Sequence, residues 1–272
     1  MRIIFFGTPD YVIPVLEKLN KYHEIVAVVT QSPKPVGRDK TLTYSAVDSW
    51  AFKKHIIRNF DYTDLPEADM GVCASFGMII PQVILDKFKY GIINIHPSLL
   101  PQFRGSSPIQ ATLISGTNPT GVTIMKMVNK LDAGPILTQF REEVLEDDTN
   151  ETLRSRLFEK SADVLLEMIP AYIDGKITLK PQDETKATMT KMVKREDGLV
   201  DLYKDDQELI WRKFRAYSPW PGIWTNLNSK RLKIISCHMI DKKLIIDEVQ
   251  PESKNPTSWN VFRRTYGLEG FN

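Results

Sequence analysis

The first thirty residues alternate between the two hydrophobic periods that a βαβ unit requires. Arg2–Phe6 is a short apolar run that ends at Gly7. Apolar residues then recur at a helical spacing: Val12, Val15, Leu16 and Leu19. Glu24–Thr30 contains five successive apolar residues, which is typical of a parallel strand buried on both faces. This alternation restricts the chain to the α/β class.

The same pattern continues through more than half of the chain. Further strands are predicted at Met70–Ser75, Gly91–Ile95 and Gly121–Val128. Helices are predicted after Asp10, which would cap the first of them, and at Pro81–Lys87, Pro108–Ser115 and Thr149–Ile169, the last capped by Thr149. The expected fold is a Rossmann-like, doubly wound domain. Because the first turn has one glycine where a dinucleotide-binding turn usually has three, we expect neither a nicotinamide nor a flavin cofactor.

The helical and strand periods fail near Lys180–Met192, where Pro, Thr, Gln and Lys dominate. Beyond this segment a short helix is predicted, followed by three short apolar runs typical of a small β-barrel. These elements are Asp205–Arg215, Gly222–Asn226, Leu232–His238 and Leu244–Val249. We therefore expect a catalytic domain at 1–186, a linker at 187–202 and a small C-terminal domain at 203–272, short for a complete barrel.

Composition excludes several classes of protein. Hydrophobic residues make up 42% and charged residues 26%, with a net charge of +2, which are ordinary globular values. Cys73 and Cys237 lie far apart without ligand spacing, so neither a disulfide framework nor a zinc site is expected. No apolar run approaches the ~18–20 residues of a membrane span, and Gly7 comes too early for a signal peptide. We expect a cytoplasmic protein.

Polar side chains occur together at the end of the predicted strand Gly91–Ile95. Asn94 and His96 are two residues apart, so they leave one face of the strand, while Ile93 and Ile95 face the core. Ligands of open α/β sheets bind outside the carboxyl ends of the strands. An amide and an imidazole are therefore expected to point into the ligand crevice, which suits stabilisation of a charge that develops during a reaction.

A carboxylate follows the predicted strand Gly121–Val128. Asp132 lies in a loop that also contains Gly134, and from there it could reach the crevice, hold the imidazole of His96 and favour its protonated form. An aspartate shortly before a glycine is also a common turn residue. Spacing alone leaves these two interpretations equally good.

Residues 31–42 have the composition of a loop, with two prolines and a glycine among three cations. The cations are Lys34, Arg38 and Lys40. Without further information a solvated loop is the simpler interpretation.

The polar residues belong to a longer set of motifs that resembles the formyltransferase family using 10-formyltetrahydrofolate. The motifs are Asn94-x-His96-Pro97-Ser98-Leu99-Leu100-Pro101, Arg104-Gly105, Pro108-Ile109-Gln110, Gly121-Val122-Thr123-Ile124 and Leu131-Asp132-x-Gly134-Pro135. Three more resemble the members that formylate methionyl-tRNA: Phe6-Gly7-Thr8-Pro9-Asp10, Thr30-Gln31-x-Pro33-x-Pro35-x-Gly37-Arg38 and Tyr217-Ser218-Pro219-Trp220-Pro221-Gly222. The resemblance extends through most of residues 1–226.

The resemblance implies formyl transfer from 10-formyltetrahydrofolate to the amino group of initiator methionyl-tRNA. Asn94 and His96 would bind the oxyanion of the tetrahedral intermediate. Asp132 would orient His96 and help to take up the amine proton. The reaction requires no metal, and the C-terminal segment would correspond to the family's OB-like domain. A monomer is expected.

The resemblance also implies two binding sites. The folate pocket would be lined by two segments, of which the first also suits plain core packing: Phe76, Gly77, Met78 and Ile79, and Ser98, Leu99, Leu100 and Pro101. The tRNA acceptor stem would meet Lys34, Arg38 and Lys40. Two alternatives stay open: an N-formyltransferase acting on an amino-sugar nucleotide, and a non-catalytic folate- or RNA-binding module, which the short C-terminal segment would suit.

Overall fold

The computed structural model describes residues 1–37, 39–227 and 230–266. These residues form two compact units. The first unit contains residues 1–108, 119–143 and 154–190, and the second contains residues 109–118 and 144–153 together with the chain from residue 191 onward. Among the described residues, no helix combines the length and the apolar character needed to cross a membrane.

The strands are, in chain order, β1 Arg2–Gly7, β2 Glu24–Val29, β3 Lys34–Val36, β4 Thr41–Thr43, β5 Ile57–Asn59, β6 Met70–Ala74, β7 Ile92–His96, β8 Arg104–Gly105, β9 Thr120–Lys126, β10 Ile136–Glu142, β11 Met189–Thr190, β12 Ile223–Leu227, β13 Lys230–Ile240, β14 Lys243–Pro251 and β15 Thr257–Ser258. The helices are α1 Ile13–Tyr22, α2 Ala46–Lys53, α3 Gln82–Leu85, α4 Pro108–Ser115, α5 Asn150–Ile173, α6 Gln207–Tyr217 and α7 Trp259–Tyr266.

The first unit is built on a seven-stranded sheet in the order β10-β9-β7-β6-β1-β2-β5. Five neighbouring strands of this sheet are parallel: β5, β2, β1, β6 and β7. Strands β9 and β10 continue the sheet beyond β7 in antiparallel pairing. The chain builds the sheet from β1 towards β5, and then returns to add β6 and β7 on the other side of β1. This reversal of strand order is the doubly wound arrangement, so the predicted α/β fold class is confirmed.

The inner parallel strands are buried because helices and loops cover both of their faces, whereas the edge strand β5 is mostly exposed. Every residue of β6 and β7 is buried, and the apolar run of β1 is fully enclosed from Ile3 to Phe6. The Phe6 ring packs edge-on against the rings of Phe76 and Phe88, at 5.6 and 6.1 Å between centroids. Continuous apolar segments of this kind can pack only in the middle layer of such a fold.

Of the two residues predicted to cap the N-terminus of a helix, Thr149 is confirmed and Asp10 is wrong. Asp10 does not cap α1, because a 3-10 turn over Asp10–Val12 comes first and its carboxylate accepts the adjacent Tyr11 N–H instead. Pro14 occupies the first turn of α1, where a missing N–H costs nothing. Thr149 does cap α5, since its hydroxyl accepts the N–H of Thr152 at 3.3 Å.

Several elements have no counterpart in the predictions, among them a hairpin, an edge strand and a helix in the C-terminal part. The segment predicted as a loop at residues 31–42 contains the antiparallel pair β3 and β4, with Gly37 in left-handed backbone at the turn. β10 is an edge strand with several polar residues, which weaken the alternation of apolar and polar residues that predicts a strand; its pairing with β9 stabilises it. Helix α7 follows a region dominated by turn residues.

The second unit contains a four-stranded antiparallel sheet in the order β12-β13-β14-β15. This sheet corresponds to the small β domain predicted for the C-terminal part. Helix α6 begins at Asp206, whose carboxylate accepts the N–H of Leu209. The segment predicted as a linker contains β11, which pairs with β8, and a 3-10 turn at Arg195–Gly198. The boundaries at residues 186 and 203 stay a prediction.

Candidate active site

Asn94 and His96 end strand β7 and leave the same face of the sheet. Both are buried, with 8% and 4% of their surface exposed, and Ile93 and Ile95 fill the opposite face. β7 lies between β6 and β9, with Asn94 opposite Cys73 on one side and Met125 on the other. Because β7 has neighbours on both sides, its backbone holds the two polar side chains at a fixed spacing.

The His96 ring contacts one group with each nitrogen. Its Nε2 lies 3.0 Å from the carbonyl oxygen of Phe103, and its Nδ1 lies 3.6 Å from Oδ2 of Asp132. A carbonyl can only accept, so Nε2 carries a hydrogen and donates it. In the neutral ring Nδ1 therefore has a free lone pair, and it faces a carboxylate at a distance too long for a hydrogen bond.

Asp132 reaches the site from the loop between β9 and β10. Its backbone is left-handed, with φ of 47°, and its Oδ2 accepts the N–H of Gly105 at 2.8 Å. Two residues later the chain requires glycine, because a Cβ on Gly134 would lie 1.8 Å from the carbonyl oxygen of Lys126. The close approach of Gly134 to the end of β9 turns the loop back and brings Asp132 beside His96.

Burial decides the charge of His96. Removal from water lowers the pKa of the imidazole below its ordinary value, and the Asp132 carboxylate opposes this only partly. Asp132 favours the protonated ring, as expected from the sequence, but burial has the larger effect. Burial and Asp132 also raise the pKa of the Cys73 thiol to about 12, which keeps it neutral and unreactive.

The side-chain amide of Asn94 forms no hydrogen bond to the described part of the chain, and 8% of the residue's surface is exposed. Buried amides are almost always hydrogen-bonded within the protein or to a ligand or water. Asn94 shares its face of β7 with His96, so its free N–H groups are available to a ligand oxygen beside the His96–Asp132 pair. An arrangement of this kind can stabilise a negatively charged oxygen and accept a proton at neighbouring positions.

The turn predicted to line the folate pocket is held rigidly from β9 and β10. The Thr123 hydroxyl donates to the Ser98 carbonyl at 2.7 Å and accepts the Leu100 N–H at 3.0 Å. Gln139 donates to the Thr123 hydroxyl and to the Leu100 carbonyl. Ser98 is fully buried and its hydroxyl donates to the Gln102 carbonyl, so Ser98 holds the turn from inside. Leu99 and Pro101 are the partly exposed members of the turn.

The other predicted folate segment runs from the core to the surface. Phe76 is a core residue whose carbonyl accepts hydrogen bonds from Thr8 and Gln31. Gly77 has left-handed backbone, Met78 is half-buried, and Ile79 is 85% exposed. An isoleucine with that exposure offers an apolar surface for a flat ligand.

Two of the three residues predicted to contact tRNA, Lys34 and Lys40, lie on the β3–β4 hairpin. Lys34 and Lys40 are both exposed, and the ammonium group of Lys34 donates to the Gln31 side chain at 2.9 Å. Arg38 lies outside the described residues.

Sequence reasoning missed the residues that support these groups. The sequence gives Thr123 only as a member of a motif, and it predicts no role for Gln139 or Gln182. A threonine on the strand next to the Ser98–Pro101 turn is a detectable signal, because its side chain faces the neighbouring strand end. Gln182 lies in the segment without periodicity, which gives no signal of its contacts.

Two family comparisons cover most of the chain. The sequence pattern of the formyl transferase family matches residues 1–169, and that of the formyl transferase C-terminal domain matches residues 192–245. The chain therefore belongs to the formyl transferase family.

Individual relatives agree with this assignment. The chain is 42% identical to the methionyl-tRNA formyltransferase of Bacillus licheniformis, over 98% of this chain and 96% of that protein. It is 40% identical to the methionyl-tRNA formyltransferase of Bacillus subtilis, over 86% of this chain and 77% of that protein.

Solved structures share the fold. The methionyl-tRNA formyltransferase of Clostridium thermocellum superposes with a TM-score of 0.62 at 18% identity, covering 92% of this chain and 98% of that one. HypX of Aquifex aeolicus in complex with tetrahydrofolic acid gives 0.66 at 17% identity, covering 97% of this chain and 47% of that one.

Proposed function

We propose that this enzyme transfers the formyl group of 10-formyltetrahydrofolate to the free amino group of initiator methionyl-tRNA. Two relatives named for this activity are 40% and 42% identical to the chain. The observation that carries the proposal is the side chain of Asn94, which lies on the same strand face as His96, is 8% exposed and forms no hydrogen bond to the described residues.

The reaction places two demands on the site. The amine attacks the formyl carbon, whose carbonyl oxygen becomes an oxyanion, and the amine loses a proton. The bond from the formyl carbon to the folate nitrogen then breaks, and that nitrogen takes up the proton that the amine has released. The site must therefore stabilise an oxyanion and handle a proton within a few ångströms of it.

Asn94 and the His96–Asp132 pair meet these two demands. The free Asn94 amide donates to the oxyanion. His96 is neutral in the free enzyme, with the lone pair of Nδ1 facing Asp132, so the pair takes up the amine proton between them. The imidazolium that results is stabilised by the Asp132 carboxylate at 3.6 Å, and its positive charge favours the oxyanion that the Asn94 side chain binds.

The folate donor is placed against the rigid Ser98–Pro101 turn and the segment Phe76–Ile79. Leu99, Pro101 and Ile79 offer partly or largely exposed apolar surface, which suits the walls of a pterin site. Phe76, Ser98 and Leu100 are buried and support this surface from below.

In this proposal the tRNA acceptor stem binds at the β3–β4 hairpin, where Lys34 and Lys40 neutralise phosphates together with Arg38, which lies outside the described residues. We further propose that the enzyme works as a monomer in the cytoplasm, where initiator tRNA is charged.

The test is an acceptor comparison with purified protein. Incubation with 10-formyltetrahydrofolate and charged initiator tRNA is expected to give N-formylmethionyl-tRNA. Uncharged tRNA, which lacks the amine, is the matched control and is expected to give no product. Formylation of an amino-sugar nucleotide in place of the charged tRNA, or no formyl product at enzyme excess, would contradict the proposal.

A further inference from the structure

The loop that carries Asp132 is held in place by a side chain fifty residues further along the chain. The Nε2 of Gln182 donates to the carbonyl oxygens of Asp132 and Gly134, each at 2.8 Å. These two contacts bracket the left-handed backbone of Asp132. Left-handed backbone is unfavourable for a residue with a side chain, so it persists only where surrounding contacts enforce it.

The other end of the same amide is held by Arg104. The Oε1 of Gln182 accepts from Nε and Nη2 of Arg104, at 3.1 and 2.7 Å. Carbonyl oxygens can only accept and a guanidinium can only donate, so a single orientation of the Gln182 amide satisfies both partners. Among the side chains of similar size, only glutamine presents two donors on one side and an acceptor on the other.

Arg104 is itself fixed. Its side chain is 2% exposed, and its two terminal nitrogens pair with the carboxylate of Glu184 at 2.8 and 3.1 Å. Glu184 also accepts from Lys130, which lies in the Asp132 loop, at 2.6 Å. The hydrogen bonds from Arg104 and Lys130 lower the pKa of Glu184 to about 2. The guanidinium thus stays aligned for Gln182 throughout the physiological range of pH.

The contacts close into a ring around the catalytic pair. The residue before Arg104, Phe103, accepts the hydrogen bond of His96, and the residue after it, Gly105, donates to Asp132. Gln182 connects the Arg104 side chain to the Asp132 backbone. A displacement of Gln182 therefore changes the distance between the imidazole and the carboxylate.

We propose that Gln182 is a positioning residue for formyl transfer, setting the distance of the Asp132 carboxylate from His96. The assignment rests on the proposed function. Gln182 falls outside both segments matched by the family, 1–169 and 192–245. It touches none of the reacting groups and acts through Asp132.

Kinetics give the first test. Gln182→Glu keeps the acceptor for Arg104 and turns an oxygen towards the two loop carbonyls, and Gln182→Met removes both sets of hydrogen bonds. Each is expected to lower kcat by about 10- to 100-fold, the usual cost of removing an outer support, with the KM values for folate and tRNA within about twofold. Gln82→Met, on the exposed face of α3, is the matched control and is expected to keep the wild-type kcat. A wild-type kcat in either Gln182 variant that folds overturns the proposal.

The second test reads the position of Asp132 without any turnover. The groups facing His96 are Asp132, which raises the pKa of the ring, and Arg104, which lowers it, while Cys73 is neutral beside Asp132. Movement of the carboxylate away from His96 is expected to shift the NMR titration of the His96 ring to lower pH in both Gln182 variants. The resonance is assigned by its loss in His96→Asn, and Gln82→Met is expected to titrate as wild type.

The two tests separate this proposal from the function it rests on. An unchanged His96 titration in the Gln182 variants overturns the positioning role, even where kcat falls. If the wild-type protein gives no formyl product, the proposed function fails, and the shift of the His96 titration still decides whether Gln182 sets the Asp132 distance. Should Gln182→Met not fold, Gln182→Glu decides, because it retains the contact with Arg104.

Discussion

The Nδ1 atom of His96 lies 3.6 Å from Oδ2 of Asp132, and Nε2 of the same ring donates to the Phe103 carbonyl. The imidazole is thus ready to receive a proton on the side of the carboxylate. Since burial lowers the pKa of His96, the ring does not already carry that proton at neutral pH, and in the proposed reaction it receives the proton from the substrate amine.

Replacing Asn94 tests the oxyanion assignment. Asn94→Ala removes the free amide donors and is expected to lower kcat by ~10²–10³-fold, the magnitude typical of a lost oxyanion donor. The Asn94 side chain forms no hydrogen bond to other described residues, so thermal stability is expected to stay at or above the wild-type value. A large fall in melting temperature together with normal kcat would show that Asn94 is a structural residue.

Replacing Asp132 tests the proton assignment. Asp132→Asn keeps an oxygen that can accept the Gly105 N–H, but it removes the negative charge beside His96. We expect kcat to fall by roughly 10²–10⁴-fold, as for loss of a general base. Steady-state rates with charged initiator tRNA measure the effect, and a loss below tenfold would be incompatible with the assignment.

His96 links stability to pH. A histidine with a lowered pKa in the folded state binds fewer protons than the unfolded chain just below its ordinary pKa, so the free energy of unfolding falls as pH drops below about 6.5. His96→Asn is expected to lose less stability than the wild type between pH 7 and pH 5. Denaturant titrations measure this. The half-buried His23, whose pKa is also lowered, is present in both proteins and cancels from the comparison.

Gly134 tests whether the loop geometry matters. Gly134→Ala would place a Cβ 1.8 Å from the Lys126 carbonyl, so the backbone must move, at a cost of about 3 kcal/mol or more. Gly175→Ala is the control, because it meets no neighbour and costs only the ~1–2 kcal/mol of left-handed backbone. The larger loss is expected at Gly134, together with a lower kcat. Equal melting temperatures for the two variants would contradict this explanation of the loop.

The hairpin cations are tested by salt. Arg38→Ala and Lys34→Ala are each expected to weaken the use of tRNA and to reduce the slope of log affinity against log salt by about one phosphate contact. The affinity for the folate donor is expected to stay unchanged. A salt slope equal to that of the wild type would exclude a phosphate contact for the residue replaced.

Local sequence patterns are enough to predict the central sheet and most of the candidate site. The buried run of β7 and the spacing of Asn94 and His96 predict one strand with two polar side chains on one face, because alternation in a strand is a local property. Asp132 could be placed near them because it follows the neighbouring strand β9.

The remaining features depend on contacts between distant parts of the chain. Gln182 meets Asp132 and Arg104 across 50 and 78 residues, and no local period predicts such a meeting. β3 and β4 form an exposed two-stranded pair, in which Pro35 is tolerated because its position needs no N–H donor. Proline is normally a signal for a turn, so the sequence pattern does not predict these strands. The charge of His96 could not be predicted either, since it depends on how completely the folded chain removes the ring from water.

The two antiparallel strands β9 and β10 place β7 in the interior of the sheet. An edge strand can fray while the rest of a domain stays folded, but β7 is paired along both sides and every one of its residues is buried. Its amide hydrogens therefore exchange with solvent only when the whole unit opens. Asn94 and His96 thus belong to the slowest-exchanging part of the molecule, and heat or denaturant that leaves the first unit folded also leaves their spacing intact.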